Sequence, residues 1–118
     1  MKVISFAWTT EAVLAGQKTC TRRDWVTRYA LSFKQGELVQ AWDKLPRAGG
    51  KRVGTIRLTE APINSNQYPE ADYWNEGLGW MMQQDIPLNG SAAWNLWQQW
   101  ETEKPWLWVV RFEFLEAQ

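Results

Sequence analysis

The sequence predicts an α+β domain in which strands from the two ends of the chain meet in one sheet or small barrel, with helices inserted between them. Three observations carry that reading. The chain opens on the β-rich "KVISFAW" and closes on the alternating "WLWVVRFEFL", while the stretch from Pro69 to Lys104 has helical spacing. Ten tryptophans in 118 residues then supply apolar area unusual for so short a chain. Each buried indole removes about 150–250 Å² from water, enough to hold a small domain without disulfides or a metal. The burial habits of Trp assign roughly seven or eight in ten of them to the interior.

In the first segment Val3, Ser5 and Ala7 share one strand face and Ile4, Phe6 and Trp8 the other. "TTEAVLAG" follows, with a Thr available as a cap, Glu11 in the first turn and Gly16 as a stop, the punctuation of a short helix. "GELVQAW" and "KRVGTIRLTEAPI" read as two more strands around the turn-prone "DKLPRAGG". The Asn, Ser and Gln content between Pro62 and Pro69 marks a loop. "PEADYWNEGLGWMMQQD" is compatible with a helix that Gly77 and Gly79 weaken and break. "NGSAAWNLWQQWETEK" predicts a helix capped near Asn89 or Ser91 and ending before Pro105. Its Trp94, Trp97 and Trp100 form a face expected to pack on the sheet. The last strand sets Trp106, Trp108, Val110, Phe112 and Phe114 against Arg111 and Glu113.

Length and composition bound the function. Residues 1–118 are expected to form a single domain. No apolar run approaches the ~18 residues of a membrane span, and the start does not resemble a signal peptide, so a soluble, cytoplasmic protein is expected. Cys20 is the lone cysteine and sits most comfortably in a reducing compartment; it cannot build a metal cage, and no metal or cofactor is expected. The net charge of zero hides an asymmetry. Residues 1–57 hold eleven Lys and Arg against four acids, a balance of +7, and residues 58–118 hold two against nine, a balance of −7. Either the first half presents a basic surface to an anionic partner, or the halves lie side by side and neutralise each other.

The most unusual stretch is "GQKTCTRR", which crowds Lys18, Arg22 and Arg23 among Thr19, Cys20 and Thr21. Such cations are costly to bury without anionic or hydrogen-bonding partners, so the stretch is either a solvated, salt-bridged turn or the floor of a site. With no histidine, a Ser-His-Asp or Cys-His group is impossible, and neither "GxxxxGK[ST]" nor "GxGxxG" occurs. Proton transfer in any enzyme built on this chain falls to Lys, a carboxylate, Tyr or Cys. Lys18, partly desolvated beside Arg22 and Arg23, is the candidate base, and Thr21 the hydroxyl it would activate. An extended strand would point the two to opposite faces, so the idea requires a bend, which Gly16 is able to supply. Trp8 and Trp25 flank the stretch and are candidates to stack a base beside the arginines.

"LAGQKTCTRR" resembles the motif of the ASCH domain family: a short helix ending in Gly, then "GxKxxTxR", with Gly16, Lys18, Thr21 and Arg23 matching. The order of strands and helix resembles that family over nearly the whole chain. The resemblance implies a PUA-like small β-barrel or strongly curved mixed sheet, with a basic cleft recognising RNA or a modified nucleoside or nucleotide. Some small members with the motif are amidohydrolases that deacetylate acetylcytidine; others are regarded as binding or cleaving RNA. Carried onto this chain, the resemblance makes Lys18 the base, Thr21 the nucleophile and Glu76 the carboxylate that positions the leaving amine, with Asp72 or Glu70 as alternatives to Glu76. Arg22 and Arg23 would bind the ligand, with Arg23 anchoring its anionic end or fixing the loop. Recognition of RNA or a nucleotide is the leading expectation, and hydrolysis of an acylated nucleoside, or RNA cleavage, the alternative.

Overall fold

Strands from both ends of the chain do share one sheet. The computed structural model describes residues 1–117. In chain order these form β1 (Val3–Ser5), α1 (Thr10–Leu14), β2 (Cys20–Arg23), α2 (Thr27–Ala30), β3 (Leu38–Trp42), β4 (Arg52–Leu58), β5 (Ile63–Ser65), α3 (Ala71–Asn75), α4 (Leu78–Gln83), α5 (Ala93–Glu103) and β6 (Leu107–Ala117). The sheet runs β1-β3-β4-β6-β2, with β5 also on β6. Among the described residues only β1 and β3 pair in parallel; the other pairs are antiparallel. The architecture is a mixed α+β fold around a strongly curved sheet.

Strand β6 organises the sheet. Its 11 residues are long enough to pair β4 over Phe112–Ala117 and both β2 and β5 over Leu107–Arg111. Register shifts at Thr55/Ile56 and Ala41/Trp42 bend the strands. The curl brings the two ends of the strand order within side-chain reach, where Arg23 on β2 donates through Nη2 to the Ser5 carbonyl of β1 at 2.6 Å. Inside the curve Ile4, Phe6, Val13, Phe33, Val39, Ile56, Val110 and Phe112 form one core. A second core, of Ala12, Tyr68, Leu78, Met81, Ala93 and Trp97, lies among the helices.

Several expectations need correction. The first strand stops at Ser5, and a 3₁₀ turn at Ala7–Thr9 carries Trp8 away from the buried face of Ile4 and Phe6. The segment after Pro62 is not all loop, because Ile63–Ser65 continue the β4 edge alongside β6. The helix after Pro69 is indeed broken, into α3 and α4, at Gly77, whose φ of 84° only glycine adopts cheaply. Helix α5 starts at Ala93 with no side-chain cap from Asn89 or Ser91, since Leu88 and Ser91 pair in a tight bridge before it. Its tryptophans meet Tyr68 and Tyr73 in the second core rather than the sheet. Of the ten indoles only Trp97 and Trp108 are buried, while Trp8, Trp74, Trp94 and Trp106 are exposed. A domain this small has more indole than interior to hold it. Among the described residues, no helix is long and apolar enough to cross a membrane.

Candidate functional site

The site is built where the exit of α1 meets the junction of α3 and α4. Gly16 turns at φ 71°, and the amides of Gln17 and Lys18 both donate to the Ala12 carbonyl, at 2.9 and 3.1 Å. This curl supplies the bend that a purely extended path lacks. Thr19 then donates to the Asn75 carbonyl at 2.8 Å, clipping the chain to the end of α3. Gly77 completes the junction, for a β-carbon there would lie 2.7 Å from Ala12 Cβ and 3.2 Å from Lys18 Cβ. Its lack of a side chain lets Glu76 reach Lys18.

The result is a buried ion network. Lys18 Nζ donates to Glu76 Oε1 and to the Glu76 carbonyl, both at 2.9 Å. Arg22 Nη1 donates to Glu76 Oε2 at 2.8 Å and Nη2 to Asp72 Oδ2 at 2.7 Å. Arg111 closes on Asp72 from the other side with two bonds of 2.9 and 3.0 Å, and Asn75 adds a fourth donor at 3.1 Å. Cys20 Sγ donates to Glu76 Oε2 at 3.5 Å. Arg22 lies over the faces of Tyr68 and Trp100, 4.7 and 5.8 Å from their centroids, and its Nε is buried without a partner.

Burial and pairing pull the proton affinities in different directions. Burial depresses the pKa of Lys18, and the attraction of Glu76 only partly opposes it, so its amine loses its proton more readily than a free lysine. Arg23 is likewise lowered by burial, with Glu76 opposing. Burial would raise Asp72, but hydrogen bonds from Arg111, Arg22 and Asn75 outweigh it and hold the carboxyl at about 2. Burial and the nearby Glu76 and Asp72 push the Cys20 thiol well above its usual value, leaving it protonated and unreactive.

A cavity of about 250 Å³ opens above the network, lined by Phe6, Trp8, Leu78, Leu88, Leu96 and Trp100 and, on its polar side, by Lys18, Thr21, Arg22, Arg23 and Glu76. Lys18 and Thr21 thus border one cavity. They bond to different partners, however: Lys18 Nζ donates to Glu76 Oε1, whereas Thr21 Oγ1 accepts from Arg23 Nη1. Arg23 bonds to Thr21 and to the carbonyls of Arg22 and Ser5, and no carboxylate pairs with it among the described residues. Of the three candidate carboxylates, Glu76 lines the cavity, Asp72 stands behind Arg22, and Glu70 is exposed at the start of α3. Trp8 is on the rim, 58% exposed. Trp25 is elsewhere: it stacks on Phe33 with ring centroids 4.7 Å apart and is not part of the cavity wall. Nearness to the arginines in sequence did not place it, because the chain turns outward into α2 after β2.

Sequence reasoning missed Arg111 and the structural part of Asp72. The signal available was a lone cation inside the apolar run "WLWVVRFEFL", which needs an acid nearby. The two charge-imbalanced halves meet in these pairs, since Lys18 and Arg22 reach Glu76 and Asp72 across the chain. Among the described residues, no group of three or more His, Cys, Asp and Glu is arranged to hold a metal ion.

A curved mixed sheet with inserted helices and a cavity over a buried ion network is the class of domain these features define. No protein-family model matches the chain, and no curated protein matches its sequence. In structure it is similar to protein EF3133 from Enterococcus faecalis V583, whose crystal structure is described under family model DUF984. The TM-score is 0.61 at 16% identity, over 99% of this chain and 81% of that one. At that identity the likeness shows the fold alone.

Proposed function

We propose that this chain is an ASCH-like domain that recognises a single nucleobase or nucleoside in the cavity above Lys18, Thr21, Arg23 and Glu76. The observation that carries the reading is the composition of that cavity: apolar and aromatic walls, with a small set of convergent polar groups at one side. This is the pattern of a small-ligand pocket, and its volume of about 250 Å³ suits one ring system with its substituents. Trp8, exposed on the rim, offers a face to a planar base beside the apolar walls of Phe6 and Trp100, and Arg23, with no acidic partner among the described residues, offers a charge to a carbonyl or anionic group. Lys18 and Arg22 are already neutralised by Glu76 and Asp72, which favours a compact polar ligand over a phosphate backbone as the occupant of this cavity.

Hydrolysis of an N-acylated nucleoside is the second reading, favoured by the lowered proton affinity of Lys18 beside a cavity that Thr21 also borders. In that reaction Thr21 Oγ would attack the acyl carbonyl as Lys18 takes its proton. The amine would leave with a proton, and water would release the acid from the threonyl ester. Recognition ranks first because hydrolysis needs a further Lys18–Thr21 contact.

Titration calorimetry with the four ribonucleosides and acetylcytidine tests the reading, run beside chromatography for cytidine and acetate. Saturable binding weakened about tenfold or more by Trp8→Ala and by Arg23→Lys supports recognition. Release of acetate that is lost in both Lys18→Ala and Thr21→Ala promotes the hydrolytic reading to first place. Absence of binding and turnover with every nucleoside rejects both.

A further inference from the structure

A second cleft shares a wall with the first. It has a volume of about 480 Å³ and is lined by Ala7, Trp8, Thr10, Asp43 and Lys44, so Ala7 and Trp8 border both spaces. The alternation of the first strand would have sent Trp8 inward with Ile4 and Phe6. Ala7 prevents that by taking φ 45°, a left-handed conformation that costs energy in a residue with a β-carbon. Its amide donates to the Asp43 carbonyl at 2.9 Å, which fixes the strained turn against the loop that follows β3. The outcome is an indole held out to solvent between two concave spaces.

The loop beyond the second cleft is basic. Lys44, Arg47 and Lys51 are exposed, and none is ion-paired among the described residues. The loop is compact, with Asp43 and Lys51 pairing through Asp43 N to the Lys51 carbonyl at 3.1 Å and Lys51 N to Asp43 Oδ1 at 2.7 Å. The three cations outnumber Asp43, its one acid, leaving a local balance of +2. This contrasts with the first cavity, whose Lys18 and Arg22 are spent on internal carboxylates.

We propose that the Trp8–Lys44 cleft is a second subsite, which takes the nucleotide linked by a phosphodiester to the base held in the first cavity. This rests on the nucleobase reading above and deepens it: the natural ligand is a single-stranded oligonucleotide rather than a free nucleoside. Trp8 stacks between the two bases, and Lys44, Arg47 and Lys51 receive the backbone phosphates. An aromatic platform beside unpaired cations is how single strands are gripped without a duplex.

The test compares each of the five nucleosides with a tetraribonucleotide carrying it at an internal position among uridines. Both are titrated into the wild-type chain and into the triple variant Lys44→Ala, Arg47→Ala, Lys51→Ala, whose changes lie on an exposed loop outside the first cavity. The tetranucleotide is expected to bind about tenfold or more tightly than its nucleoside. Three phosphate contacts on a single strand predict a log-log salt slope of about −2. The triple variant should lose both the advantage and the slope while binding the nucleoside as the wild type does. Equal affinity for nucleoside and tetranucleotide overturns the subsite and leaves the first-cavity reading standing. So does an advantage that survives in the triple variant, or displacement of the tetranucleotide by polyglutamate of equal charge as readily as by RNA, which would mark a general anion-binding or protein-facing surface. Failure of every nucleoside and every tetranucleotide to bind removes both readings together.

Discussion

Two sets of ion pairs join the basic first half of the chain to its acidic second half, and they differ in nearly everything but charge. Lys18 and Arg22 meet Glu76 and Asp72 with side chains only 1–3% exposed. Arg57 meets Glu113 across β4 and β6 with side chains 48% and 50% exposed. The first set is desolvated, shares its carboxylates among several donors and forms the floor of a cavity. The second is a pair on the outer face of a sheet, where water does much of the same work for each partner alone. Ion pairing between the halves therefore says little by itself, and depth decides whether it becomes a site.

The strongest way to break the contrast is Glu76→Gln, which leaves the Lys18 and Arg22 charges buried without their shared carboxylate. Removing one partner from a buried set costs about 3–5 kcal/mol. Urea unfolding at neutral pH should show a loss of that size, and a change below about 1 kcal/mol would mean that water reaches the network.

Asp72 gives a smaller effect with a defined pH window. Its folded pKa of about 2 lies below the ordinary 3.8, so on acidification the unfolded chain takes up the proton first. The stabilisation, about 2 kcal/mol from that difference, is fully present above pH 3.8 and lost as pH falls through about 2. Unfolding midpoints measured from pH 5 down to 2 should fall along that course. In Asp72→Asn the contribution of this carboxyl to the slope should vanish, on a background already destabilised at pH 5. An unchanged slope in the variant would assign the acid sensitivity to other carboxylates.

Arg57→Ala should be the smallest, within about 0.5 kcal/mol, and smaller still in high salt. A loss above 1 kcal/mol would show that depth is not what separates the two sets of pairs.

The sequence made the class of fold legible through its terminal strands, and the break at Gly77 through a helix-weakening residue in a helical stretch. It also brought forward Lys18, Thr21, Arg23 and Glu76, all of which border the cavity, although Glu76 came only through the family resemblance. Trp25 was misread from its nearness to the arginines in sequence, and the tryptophan face of α5 from its periodicity. Neither signal says which surface covers a ring, which depends on where the chain turns next, and α2 and the second core took these rings. Trp8 was misread as a strand residue, and a single left-handed alanine moved it to the surface.

What the sequence determined by itself is local: alternation in β6, the glycine stops at Gly16 and Gly77, and a cluster of cations too costly to bury alone. Only the tertiary structure decided which acids meet those cations. Glu76 and Asp72 lie more than fifty positions along the chain from Lys18 and about fifty from Arg22. The choice among Glu70, Asp72 and Glu76 turned on the φ of Gly77 and its close approach to Ala12, a steric fact between segments that no local pattern encodes.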